Sequence, residues 1–242
     1  MKNVFFIFLL LSSLVGTSYG QDYESALKTG FEKIDKKDFK GAIEDFKIAL
    51  KSKPGDLDAT YGLIASNLFS DNIKEAQSLL SSALVGNPNY AGFLLAQAII
   101  SIKKNELDNA ISFLDKAAEQ NNKTFEEQII LNRGSLKVKR EDYEGALADF
   151  NKLLAINPSN GGAYSNIGIL YYKQEKYKEA ITSFDQALEI DPSNTIALYN
   201  RGMCYYKQDI KPEACLDFHH SCRLNNTNAC KMIITYCTKQ VK

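Results

Sequence analysis

An alanine returns along this chain at a nearly fixed interval. It stands at Ala42, Ala76, Ala110, Ala146, Ala180 and Ala214, in steps of 34, 34, 36, 34 and 34 residues. Other residues keep time with it. Four positions on comes a bulky apolar group: Phe46, Leu80, Leu114, Phe150, Phe184 or Phe218. Three further on comes a small residue in most copies, with Leu153 the exception. Twelve positions before the alanine stands Gly30, Ala98, Gly134, Gly168 or Gly202, with Ile64 out of pattern. Twelve positions after it stands Pro54, Pro88, Pro158 or Pro192, replaced by Asn122 and Asn226 in two copies. A period of this length marks a stack of repeated supersecondary units.

The spacing inside each copy is helical. Offsets of four and seven from the alanine lie on one face of a helix. The upstream glycine belongs to a preceding helix, at a point where two backbones approach too closely for a large side chain. Segments such as "EKY", "DNI" and "EDY" supply the turn between the two helices. Proline, which has no N–H, ends the second helix, and "PSN" offers serine and asparagine as caps for the next. One such hairpin cannot bury its own apolar face, and stacking on its neighbours completes the core. Ile64 is expected to loosen the second hairpin. The two extra residues near Thr124–Glu127 are expected to alter the stacking after the third.

The full pattern is clearest in "GGAYSNIGILYYKQEKYKEAITSFDQALEIDPSN", which carries Tyr164, Ile167, Gly168, Tyr171, Ala180, Phe184, Ala187 and Pro192. The chain here resembles the tetratricopeptide-repeat (TPR) proteins. The resemblance implies an all-α fold, a right-handed superhelical α-solenoid of antiparallel helix pairs. Six repeats are expected at about 23–56, 57–90, 91–124, 127–160, 161–194 and 195–228, within a region spanning 21–228. A C-terminal capping helix and tail follow at 229–242.

The first twenty residues stand apart from the repeats. Lys2 precedes an almost wholly apolar run from Val4 to Val15, and Ser18 and Gly20 are small residues before Gln21. This is the form of a signal peptide cleaved after Gly20, and the run is too short to span a bilayer unaided. The mature protein is expected to be secreted or periplasmic, with no integral membrane segment. Asn122-Lys123-Thr124 and Asn225-Asn226-Thr227 match glycosylation acceptors, which matter only in a eukaryotic secretory pathway.

All five cysteines fall between Cys204 and Cys237. Cys222 and Cys230 lie symmetrically about Asn226, and so do Cys215 and Cys237. Residues so placed face each other across an antiparallel hairpin, and in the family the positions of Cys215 and Cys222 face the next helix. Disulfides Cys222–Cys230 and Cys215–Cys237 are therefore expected to staple the capping helix, in keeping with an oxidising address. Two alternatives stay open: thiols packed as small apolar groups, or a metal site that combines Cys215, His219 and Cys222 with Cys230 or Cys237. Cys204 falls at an inward position and is expected to be a buried free thiol.

The chain carries no recognisable catalytic constellation. Its only histidines are the adjacent His219 and His220, and it has no phosphate-cradling glycine loop and no nucleophile elbow. The reading is of a non-enzyme that needs no cofactor. Acidic and basic residues balance at 29 each, which gives no footprint for nucleic acid.

In the resembled family the first helix of each repeat lines a groove that binds peptides or partner proteins. Counting along the repeats assigns to that groove Leu131, Asn132, Ser135, Val138 and Lys139, then Ser165, Asn166, Ile169, Tyr172 and Lys173, then Tyr199, Asn200, Met203, Tyr206 and Lys207. Asn132, Asn166 and Asn200 form one ladder. Lys139, Lys173 and Lys207, preceded by Lys103, form another. Asparagine amides can hold an extended backbone and lysines attract carboxylates. Lysine near a helix C-terminus is also favoured by the helix dipole alone. Tyr172 and Tyr206 are expected to face the groove, while Tyr171 and Tyr205 pack inside their hairpins. The resulting expectation is a scaffold that binds a protein or an extended peptide. The alternatives are a structural or self-associating subunit of a cell-envelope complex and a Cys/His metal-binding module.

Overall fold

The computed structural model describes residues 22–238. The expected signal peptide lies outside the described residues, as do the last four residues of the tail. The described residues form helices joined by short turns, with no strand. They begin with α1 (22–35), followed by α2 (Phe39–Ser52), α3 (Leu57–Phe69), α4 (Ile73–Gly86), α5 (Ala91–Lys103) and α6 (Leu107–Glu119). After these come α7 (Glu126–Lys139), α8 (Tyr143–Ile156), α9 (Gly161–Lys173), α10 (Tyr177–Ile190), α11 (Thr195–Lys207) and α12 (Lys211–Arg223). The short α13 (Thr227–Met232) runs directly into one π-helical turn, Ile233–Cys237. The chain divides into an N-terminal compact unit ending at Phe125 and a C-terminal one beginning at Glu126, at the two-residue insertion.

The caps follow the sequence with one amendment. Asn160 and Asn194 accept hydrogen bonds from the N–H groups of Ala163 and Ala197 at 2.9 and 3.0 Å, and Asn226 accepts from Ala229 at 3.1 Å. The serine of "PSN" does not cap. Its N–H donates to Asn157 or Asp191 and closes the turn instead. The turns inside the hairpins take left-handed residues, among them Glu141, Glu175 and Asp209 at φ 64°, 60° and 57°. That conformation costs a non-glycine residue roughly 1–2 kcal/mol, and it is what lets the second helix fold back so abruptly.

In four of the hairpins the core is a glycine facing a ring. Phe46, Phe150, Phe184 and Phe218 are fully buried. A Cβ on Gly134, Gly168 or Gly202 would stand 2.5, 2.6 or 2.8 Å from the facing ring. The other hairpins swap sizes. Ile64, fully buried, stands in the repeat whose ring is replaced by Leu80, and Ala98 in the one with Leu114. The larger residue at 64 is thus matched by a smaller one at 80. Gly168→Ala is expected to lose about 1–2 kcal/mol, overpacking outweighing the roughly 1 kcal/mol that alanine gains in a helix. The same change in a Phe184→Leu background should be neutral or stabilising, which urea unfolding midpoints of the four proteins will show.

In the C-terminal unit the first helices α7, α9 and α11 lie side by side. The Ser135 hydroxyl meets Asn166 Oδ1 at 3.0 Å across the first junction, and the Asn194 amide donates to Ser165 Oγ at 3.1 Å at the second. The inner face is therefore continuous within this unit.

Candidate functional site

The three ladder asparagines share one geometry. Each folds back on its own helix and donates its amide nitrogen to the carbonyl four residues earlier: Asn132 to Gln128 at 2.7 Å, Asn166 to Gly162 at 2.8 Å and Asn200 to Ile196 at 2.8 Å. Asn166 Oδ1 also meets Ser135. One N–H of each amide is thus committed to the helix. Each asparagine keeps its second N–H uncommitted, and Asn132 and Asn200 keep the side-chain carbonyl oxygen as well.

Lys139, Lys173 and Lys207 are exposed at the C-terminal ends of α7, α9 and α11. Their counterpart Lys103, in the N-terminal unit, pairs with Asp71 of the preceding hairpin turn at 3.2 Å. Glu141 and Glu175 stand in the equivalent places ahead of Lys173 and Lys207.

The tyrosines are more engaged than counting implied. Tyr172 is half-buried and packs edge-on against Tyr177, with ring centroids 5.7 Å apart. Burial raises the pKa of its phenol above the ordinary value, with Tyr177 and Cys204 adding to the rise. Tyr206 is 37% exposed and meets Tyr236 of the capping segment at 4.6 Å. Two positions assigned to the groove belong elsewhere. Val138, 3% exposed, sits in the core with Ala146 and Phe150. Ser165, 4% exposed, bonds within the stack to Gly161 and Asn194. In the N-terminal unit the equivalent face is apolar, with Tyr61, Ala65, Leu68, Leu95 and Ala96 all buried.

The structure also shows an ionic cluster that the repeat count passed over. Arg201 on α11 makes two hydrogen bonds to Asp217 on α12, at 2.9 and 2.7 Å, and a third to Asp185 on α10 at 2.7 Å. It thereby ties two hairpins together. Hydrogen bonding to Asp217 raises the arginine pKa further above its ordinary value, against the opposing effect of burial. In the fourth repeat Arg133 and Lys137 share Asp149. Burial would raise the Asp149 carboxyl, but the hydrogen bonds from Arg133 and Lys137 outweigh it and hold the group below the usual carboxylate range.

The capping segment closes the stack. The sulfurs of Cys215 and Cys237 lie 2.08 Å apart, and those of Cys222 and Cys230 lie 2.00 Å apart. The Cα separations, 5.7 and 4.8 Å, are those a bridge requires. Among the described residues no group of three or more His, Cys, Asp or Glu gathers around a common point. The final turn departs from the expected α-helix. Thr238 N–H donates to the Ile233 carbonyl at 3.0 Å, a five-residue closure across the β-branched run Ile233, Ile234 and Thr235. Cys204 is fully buried and free, and burial pushes its thiol up to about 12. Among the described residues no helix is long and apolar enough to cross a membrane.

Comparison with known proteins supports this architecture. A family model described as TPR repeat matches residues 134–175 and 170–209, so the chain carries TPR repeats. No curated protein matches the chain. Among solved structures, a chain of the APC/C hetero-tetramer Cut9-Hcn1 superposes with a TM-score of 0.76 at 16% identity. The match covers 94% of this chain and 45% of that one, so this chain spans less than half the length of that protein. The pilF protein of Pseudomonas aeruginosa gives 0.64 at 15% identity, over 91% of this chain and 95% of its own. YrrB, described as a TPR protein with an unusual peptide-binding site, gives 0.52 at 18% identity, over 77% and 96%. At these identities the likeness is one of fold.

Proposed function

We propose that this protein is an exported, non-enzymatic scaffold whose C-terminal unit holds an extended, mildly acidic segment of a partner protein against the inner face of α7, α9 and α11. One observation carries the reading. That face presents Lys139, Lys173 and Lys207 in register and no acidic side chain among its assigned residues, in a chain whose acidic and basic residues balance as a whole. Around the lysines, the free edges of Asn132, Asn166 and Asn200 supply neutral hydrogen-bonding groups, and Tyr172 and Tyr206 supply aromatic surface. A TPR array is suited to this role because stacked first helices form a long surface without any catalytic machinery. The peptide-binding site named for YrrB is in keeping with it. The address rests on the leader read at residues 1–20.

The test is affinity capture from the envelope fraction of the source organism, with wild type compared with Lys173→Glu plus Lys207→Glu. Reversing two charges on one face should cut partner recovery several-fold and leave the helical circular-dichroism signal unchanged. Equal recovery by both proteins would remove the lysines from the account.

A further inference from the structure

In the C-terminal unit the junction between α10 and the α11/α12 hairpin is filled by Arg201, which reaches to Asp185 and Asp217. The repeat register assigns the same three places in the N-terminal unit to Gln97, Ser81 and Phe113. No ionic cluster can form from these residues, and at that junction, between α4 and the α5/α6 hairpin, the structure has a cleft of about 510 Å³. Leu80, Leu84, Ile100 and Phe113 make its apolar walls. Gln77, Gln97, Ser81, Ser101 and Asn109 bring neutral hydrogen-bonding groups to it, with Lys104 and Glu106 also lining it.

Several of these polar groups are available. Ser81 donates to the Gln77 carbonyl at 2.8 Å, and Asn109 donates one N–H to Glu106 at 3.2 Å. Among the described residues the side-chain amides of Gln77 and Gln97 have no hydrogen-bond partner. The size suits a small ligand rather than a lone water. The chemistry narrows the class. The positions that carry arginine and aspartate in the C-terminal unit are neutral here, and the two charged side chains of the lining, Lys104 and Glu106, are of opposite sign, so the cleft offers no net charge to an ionic ligand. Amides offer donor and acceptor side by side, as a pair of adjacent hydroxyls requires. An aromatic ring and aliphatic walls suit a face of C–H groups.

We infer that this cleft is a second binding site, separate from the inner face of the C-terminal unit, and that it takes a neutral saccharide of one or two rings. The hydroxyl edge of the sugar meets Gln77, Gln97 and Asn109, and its C–H face lies on Phe113. The site is confined to the N-terminal unit, so it stands or falls independently of the partner-binding proposal.

The test is a ¹⁵N NMR titration of the intact protein with N-acetylglucosamine and with cellobiose, following the side-chain amide signals of Gln77, Gln97 and Asn109. At least one sugar should move these signals saturably. Gln97→Leu, which keeps the volume and removes the amide, should weaken that binding by about tenfold, because the sugar hydroxyl loses its partner. Gln77→Leu serves as a second variant should the first fail to fold. Absence of a saturable shift with either sugar, or equal affinity in wild type and variant, overturns the proposal. So does a shift of the same signals by an apolar tetrapeptide but by neither sugar, which would make the cleft a peptide side-chain site.

Discussion

Arg201→Ile is expected to destabilise the C-terminal unit by about 3 kcal/mol, and Arg201→Ile with Asp217→Ser to recover all but about 1 kcal/mol of that loss. The asymmetry comes from burial. The Asp217 side chain is 4% exposed, so losing its guanidinium partner leaves a carboxylate enclosed without a counter-charge. Asp185, at 45% exposure, simply returns to water and contributes little either way. The double variant is drawn from the protein itself. In the fifth repeat the same two places hold Ile167 and Ser183, where the serine hydroxyl donates to the Glu179 carbonyl at 2.9 Å and needs no cation. Chemical unfolding of wild type, both single variants and the double variant gives the coupling directly. If the single and double variants were equally unstable, Arg201 would act by packing rather than by charge.

Removing both cystines, by Cys215→Ser with Cys222→Ser, is expected to cost about 3–5 kcal/mol in total. The figure is less than twice the usual value for one bridge because the 8-residue loop lies inside the 22-residue one, so closing the outer loop already restricts the inner. The loss should be local at first. Beyond the bridges, the capping segment is held by Ala229 packed against Ala214 and Phe218, by Asn226 bonded to the Thr195 carbonyl, and by Tyr236 against Tyr206. Hydrogen exchange in residues 227–238 should accelerate before that in α9 and α10, as an end repeat with one neighbour unravels first. Intact mass before and after reduction establishes the bridges themselves. An unchanged mass, or protection of 227–238 undiminished in the variant, would mean that packing alone holds the cap.

The repeat was legible because the key residues of four of its six copies answer one steric demand. A ring at 46, 150, 184 or 218 needs a glycine opposite, and the pair recurs with the period. The facing cysteines were legible for a related reason, since a short loop fixes which residues of two helices meet. The Arg201 cluster was not, because it is not periodic. It recurs in part at Arg133 and is exchanged for Ile167 and Ser183 in the repeat between. Reading pairs of positions across repeats, rather than single columns, would have exposed it. The groove was legible only in outline. Val138 and Ser165 occupy first-helix positions that point partly toward the adjoining helix, so burial there depends on the neighbour's side chains and not on the count. The left-handed turn residues Lys37, Asp71, Asn105, Glu141, Glu175 and Asp209 keep the period, so the place of the turn was legible although its backbone conformation was not. The π-helical end lies outside the repeats and left no mark in them.

The central claim is that the inner face of the C-terminal unit holds a partner. Site-specific photo-crosslinking tests it most directly, with benzoylphenylalanine placed at Tyr172 or Tyr206 on the inner face and, in a separate protein, at Leu216, which is 68% exposed on the second helix of its hairpin. In envelope extract the two inner positions should give the same discrete adduct and Leu216 none. An adduct from Leu216 matching or exceeding those from Tyr172 and Tyr206 would contradict the account.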